Sequence, residues 1–112
     1  MIGGKVRTAL VKLAGTQGTI LEGGQERRVI TQILLSNITG GALTATLDVT
    51  RSSVDYNICT AKSVGANDFV HIKGEYGPLI SLEPGDTLKG LCNSANNVHC
   101  IVTYTTLGPA GG

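Results

Sequence analysis

Two histidines and three cysteines are the side chains of this 112-residue chain with the widest chemical scope. Their spacing limits what they can do. His71 and His99 are 28 residues apart. Jelly-roll metalloenzymes of the cupin kind hold their metal with a close His-x-His pair, a carboxylate and a distant histidine, and nothing here has that spacing. Each histidine stands beside apolar residues in an extended segment, which predicts a structural or surface role rather than metal ligation. Cys92 and Cys100 admit two readings. With Asn96 near the centre of a hairpin they stand opposite one another, open to a cross-strand disulfide or half a metal site. Both also fall on the stripe assigned to the core, where a free thiol packs as a small hydrophobe, and that is the expectation. Cys59 has no evident partner, and no cysteine has a basic neighbour or helix start to lower its pKa.

The carboxylates Glu22, Glu26, Asp48, Asp55, Asp68, Glu75, Glu83 and Asp86 are dispersed, most in or beside turns, where solvation is expected. Gly23-Gly24 and Gly40-Gly41 lack the lysine and following helix of a phosphate cradle, and there is no Gly-x-Ser-x-Gly elbow. The sequence therefore predicts no catalytic, cofactor-binding or metal-binding residues, and a protein that is not an enzyme. Among aromatic residues, Tyr56 and Tyr76 are the candidates for a sugar-stacking platform. A carbohydrate-binding sandwich is thus an alternative, poorly supplied by three Tyr, one Phe and no Trp.

The elements that would carry these residues are short and extended. Arg28 to Asn37 is the strongest strand, predicted to point Val29, Thr31, Ile33 and Leu35 one way and Ile30, Gln32, Leu34 and Ser36 the other. Ala42 to Thr50 alternates cleanly, with Leu43, Ala45, Leu47 and Val49 inward, as in a sheet with one wet face. Lys5 to Ala14 is a strand or short helix, with Thr8 and its valines favouring strand. Further extended pieces are expected at Thr19–Leu21, Asp55–Lys62, Phe69–Ile72, Pro78–Leu82, Thr87–Asn93 and Val98–Thr106. Pro84-Gly85 predicts a type II turn, proline presetting φ and glycine accepting a positive one. Leu88, Gly90 and Cys92 share one face, as do Val98, Cys100, Val102 and Tyr104. About eight short strands without a convincing helix predict an all-β, single-domain, antiparallel β-sandwich of jelly-roll-like kind. The expected division is residues 1–14 as an N-terminal segment or arm, 15–106 as the sandwich, and 107–112 as a flexible Gly-rich tail.

Charged residues make up 15% of the chain, against about 25% in typical soluble proteins. Such a surface is either a neutral Thr-rich sheet or is covered by other subunits. A net charge of +1 without an aromatic-laced basic run argues against nucleic acid. The apolar stretches are too short to span a bilayer as helices. Met1-Ile2-Gly3-Gly4 runs directly into a charged, alternating segment, and the cysteine count is odd. Together these predict no secretory leader and folding in a reducing cytoplasm.

From residue 28 to 106 the order of motifs resembles a known class. Leu35-Ser36-Asn37 and a small turn lead into the Thr-rich strand Thr44 to Thr50. Gly65-Ala66-Asn67-Asp68-Phe69, Leu82-Glu83-Pro84-Gly85-Asp86-Thr87-Leu88 and the closing strand Val98 to Tyr104 follow. This succession is similar to small β-sandwich structural proteins of tailed-bacteriophage virions. The resemblance implies a capsid decoration or cement protein bound in many copies between major capsid subunits, or a neck, tail or fibre-attachment component. It also implies a homo-oligomer, trimeric among the options, located in the virion, with no cofactor and no functional residue to carry over.

Overall fold

The computed structural model describes residues 5–107. They form nine strands: β1 (Lys5–Lys12), β2 (Gly18–Glu22), β3 (Arg28–Asn37), β4 (Leu43–Arg51), β5 (Val54–Val64), β6 (Phe69–Lys73), β7 (Ile80–Leu82), β8 (Thr87–Cys92) and β9 (Val98–Thr106). One sheet, called A, runs β1-β9-β3-β6, with β7 also paired to β3; the other, B, runs β2-β8-β4-β5. All neighbours are antiparallel. The pairing is nested: first strand with last, second with second-last, third with sixth and seventh, fourth with fifth. Two antiparallel sheets face one another, so the architecture is the expected all-β antiparallel sandwich.

The core lies between the sheets and follows the alternation of β3, β4, β8 and β9, whereas β2 buries the adjacent Ile20 and Leu21. Ile33, Leu35, Leu47, Val64, Leu82, Leu88, Val98 and Val102 are fully buried, with Cys92 and Cys100 among them. Truncating one of the large aliphatic members to alanine costs about 2–5 kcal/mol by lost transfer energy and the cavity left behind.

Three local features depart from the pattern expected of the sequence. In β3 the register to β9 slips between Ile30 and Gln32, a bulge at Thr31. Ile30 therefore joins Ile33 and Leu35 inside, correcting the expected phase that grouped Val29 and Thr31 with them. The second departure is at Ser94–Asn97. This segment is not a hairpin, because β8 belongs to sheet B and β9 to sheet A. Cys92 and Cys100 consequently stand on opposite layers, not in cross-strand register. The third is the interruption of one long strand into β6 and β7, both of which pair with β3. A side-chain carbon at Gly74 would come within 2.2 Å of Gly77 O and 2.6 Å of Pro78 O, so the tight loop there requires glycine.

The segment read as strand or arm enters sheet A as β1, paired with β9 from Lys5↔Thr106 to Lys12↔His99. Leu107 N–H donates to Arg27 O at 2.9 Å. The remainder of the predicted Gly-rich tail, 108–112, and residues 1–4 lie outside the described residues.

Candidate interaction surface

The loops at one end of the sandwich are joined by hydrogen bonds. Asp86 Oδ1 and Oδ2 accept from Arg51 Nε at 2.9 Å and Nη2 at 2.6 Å, and Oδ2 also accepts Glu83 N–H at 2.9 Å. Asp86 N–H donates to Glu83 O at 3.0 Å, and Gly85 has φ of 90°, as a type II turn at Pro84-Gly85 requires. The neighbouring turn zips on: Gly23 N–H donates to Asp86 O and Gly85 N–H to Gly24 O. Asp86 is 3% exposed, which corrects its expected place among solvated carboxylates. The Arg51 hydrogen bond, against the cost of burial, holds its carboxyl below the usual range. The same bond raises the Arg51 pKa. This constellation fastens β4 to the β7–β8 turn; both carboxylate oxygens are already occupied by the protein.

The opposite end is fastened by Asn37, 2% exposed. Its Nδ2 donates to Gly41 O, Val64 O and Gly65 O at 2.8, 3.1 and 3.2 Å, and its Oδ1 accepts Thr39 N–H and Thr39 Oγ1–H, both at 2.8 Å. One amide thus ties the end of β3 to the β3–β4 and β5–β6 loops. Asn37 and Asp86 are the buried polar residues that sequence reasoning did not single out. The available signal was their position, each closing a motif beside a Gly-containing turn.

Both histidines lie on the outer face of sheet A. His71 stands opposite Leu34, and His99 and Phe69 flank Ser36 from either side. With β3 between them, the histidines are separated by two strand spacings and a register offset, roughly 10 Å or more, too far to share a metal ion. Among the described residues no three His, Cys, Asp or Glu side chains group as metal ligands. His71 is exposed and takes an edge contact with Phe69, ring centroids 5.4 Å apart. His99 is half-buried, with Nε2 enclosed and without a hydrogen-bond partner among the described residues. Burial pushes the Cys100 thiol up to about 12, a nearby Cys59 charge adding to it, and raises Cys59 as well. These thiols are protonated near neutrality and poor nucleophiles. Cys92 Sγ–H faces Ser94 O at 3.0 Å and Leu13 O at 3.3 Å.

Tyr56 lines an open depression of about 430 Å³ with Val49, Arg51, Ile58, Ile80 and Ser81, between the β5 and β7 edges. Tyr76, 95% exposed in the β6–β7 loop, is not part of its lining. The two tyrosines therefore do not build one stacking platform there.

What the tertiary structure does assemble is an apolar row. Leu10, Ile101, Leu34 and His71 are directly opposite one another in register across β1, β9, β3 and β6. The next row is Lys12, His99, Ser36 and Phe69. Leu10 is 73% and Phe69 55% exposed, Ile101 and Leu34 are half-buried, and Val6 adds a second 73% exposed aliphatic group on β1. Nothing among the described residues covers this face. Scattered surface hydrophobes are ordinary, but a row spanning four strands is the kind of contiguous patch that associates.

No family model matches the sequence, and no curated protein matches it. Among solved structures, a pentameric capsid protein isolated from metagenomic phage sequences is similar to this chain at 18% identity with a TM-score of 0.46. The match covers 94% of this chain, which spans 64% of that protein's length.

Proposed function

We propose that this chain is a non-enzymatic structural protein of a bacteriophage virion, a capsid decoration or cement protein held by repeated protein–protein contacts. The observation that carries this is the apolar row on sheet A. A face of Leu10, Ile101, Leu34 and Phe69 fits burial against another protein surface better than recognition of a polar small molecule. The order of motifs between residues 28 and 106 supports the virion setting. Low charge and a rigid two-layer block suit a part whose modest contact is multiplied by symmetry. The partners are then further copies of the chain and the major capsid protein.

Mass spectrometry of purified particles from a phage that encodes the chain tests this. A decoration protein is present at a copy number comparable to that of the major capsid protein. A handful of copies per particle instead fits the neck, tail or fibre-attachment reading. Absence from the particle overturns both.

A further inference from the structure

We propose that β1 is a docking edge for a second copy of this chain, the two β1 strands pairing antiparallel about a two-fold axis at Thr8. This names the self-association contact of the assembly role above and rests on that reading for its biological purpose.

The first ground is a contrast among the sheet edges. Edge strands are ordinarily blunted by shortness, bulges or covering. Here β2 has five residues and a register slip, β6 five residues, and β7 three. The longer β5 is broken by two register slips and by a positive φ at Ala61. Strand β1 is neither short, bulged nor covered among the described residues; the one blunting device it carries is charge, at Lys5, Arg7 and Lys12. It keeps eight consecutive pairs with β9 without a slip and contains no proline. Among the described residues no strand pairs with its other side.

The second ground is which groups that free side presents. Leu13 N–H donates to Val98 O at 2.9 Å, one step beyond the Lys12↔His99 pair. Antiparallel bonding alternates, so Val11, Ala9 and Arg7 direct their backbone groups to β9. Val6, Thr8, Leu10 and Lys12 direct theirs to the free edge. These four also point their side chains to the outer face, where Val6 and Leu10 are each 73% exposed.

The third ground is self-complementarity. With the axis at Thr8, Val6 faces Leu10 of the second copy, Leu10 faces its Val6, and Thr8 faces its Thr8. All three are hydrogen-bonded pairs, giving about six backbone bonds. Moving the axis to Ala9 instead sets Val6 against Lys12 and Leu10 against Thr8, losing both apolar pairs. At Thr8 the Arg7 cation does not face another: it meets Ala9. The outer faces of both sheets A then form one continuous surface, the Leu10 row of each copy ending on Val6 of the other. Because β1 carries only positive charges, added salt strengthens the pairing.

The experiment is sedimentation equilibrium of the full chain at about 100 μM, with a Thr8→Pro variant. The wild type is expected at twice the 11.6 kDa chain mass. Thr8→Pro removes an edge N–H that β9 does not use, so the monomer keeps its sheet while the dimer is lost. Oxidative cross-linking, in a Cys59→Ser background, tests the register independently of the proline variant's folding. Thr8→Cys is expected to give covalent dimers, since directly opposite hydrogen-bonded residues lie about 5.5 Å apart at Cα, within disulfide range. Arg7→Cys is expected not to.

A monomeric wild type, a Thr8→Pro dimer, or cross-linking through Arg7→Cys and not Thr8→Cys each overturns the proposal. Particle mass spectrometry reads the virion role separately. A monomeric chain found in particles sinks the β1 contact alone, and a Thr8-linked dimer absent from particles sinks the virion role alone.

Discussion

Replacing Asn37 by alanine isolates what one buried amide does for the fold. The loss is smaller than five hydrogen bonds suggest, because several partners keep another bond. Gly41 O still accepts from Thr39 Oγ1 at 2.9 Å, and Gly65 O still accepts Asp68 N–H at 3.1 Å. The group stripped of this partner without such a replacement is Thr39 N–H, partly buried, since Val64 O stands opposite Leu43 in the β4–β5 ladder. An orphaned buried polar group costs about 1–3 kcal/mol, less where water reaches it. With Thr39 N–H as the group left over, Asn37→Ala is expected to lose about 1–3 kcal/mol, a sizeable share of the roughly 5–15 kcal/mol of a typical domain.

Urea unfolding at pH 7 followed by circular dichroism measures this, with an unchanged m-value confirming that the native fold persists. Asn37→Asp adds a sign test. Its carboxylate would aim one oxygen at three carbonyls, so the folded state favours the protonated form and the folded-state pKa rises above the unfolded value of about 3.9. A raised carboxyl pKa means stability falls as pH climbs past about 4, and levels off above the folded pKa. Asn37→Ala is flat, relative to wild type, over that window. A loss below about 0.5 kcal/mol for Asn37→Ala, or an Asn37→Asp variant that gains stability as pH rises, refutes the assignment of Asn37 as the clasp of this end.

Asp86 acts with the opposite sign. Its folded pKa is lowered by Arg51, so its contribution is complete above the unfolded carboxyl value and disappears as pH falls through the folded one. The stability difference between wild type and Asp86→Ala, about 1–3 kcal/mol at pH 7 from the buried acceptor lost to Glu83 N–H, should therefore shrink in acid as the Arg51 pair is lost, the protonated carboxyl still accepting Glu83 N–H. Arg51→Ala should cost less, since the turn bond survives. Ser52-Ser53 links β4 to β5 with positive φ at both residues, 53° and 64°, the pattern of a type I′ turn that favours Asn-Gly. Ser52→Asn with Ser53→Gly is expected to raise stability by roughly 0.5–1 kcal/mol, read as a higher thermal midpoint. Gly74→Ala is expected to lower that midpoint, since the added carbon meets backbone oxygens rather than a side chain that can swing away. In native thiol labelling Cys59, half-buried, should react before Cys92 and Cys100, and all three should react in denaturant. Comparable labelling of Cys100 in the folded protein would contradict its burial.

The period-2 alternation of Leu43–Val49, Leu88–Cys92 and Val98–Tyr104 was enough to assign their buried faces, because each strand there is regular and one side meets the core. Pro84-Gly85 announced its turn because backbone stereochemistry is local. The bulge at Thr31 was not legible: a slipped register depends on the opposing strand, and it shifted Ile30 to the inside. Nor was the separation of Cys92 from Cys100, since a polar four-residue link is compatible with a hairpin or with a crossing between layers. The buried roles of Asn37 and Asp86 depend on carbonyls and a guanidinium 4 to 35 residues distant.

The row Leu10–Ile101–Leu34–His71 draws on four strands, from residue 10 to residue 101. Composition and alternation thus determined a charge-poor, two-layered β chain and most of its interior. Only the nested pairing of first strand with last decided which hydrophobic groups stay outside together, because adjacency across a sheet is set by register between distant segments rather than by neighbours in the chain.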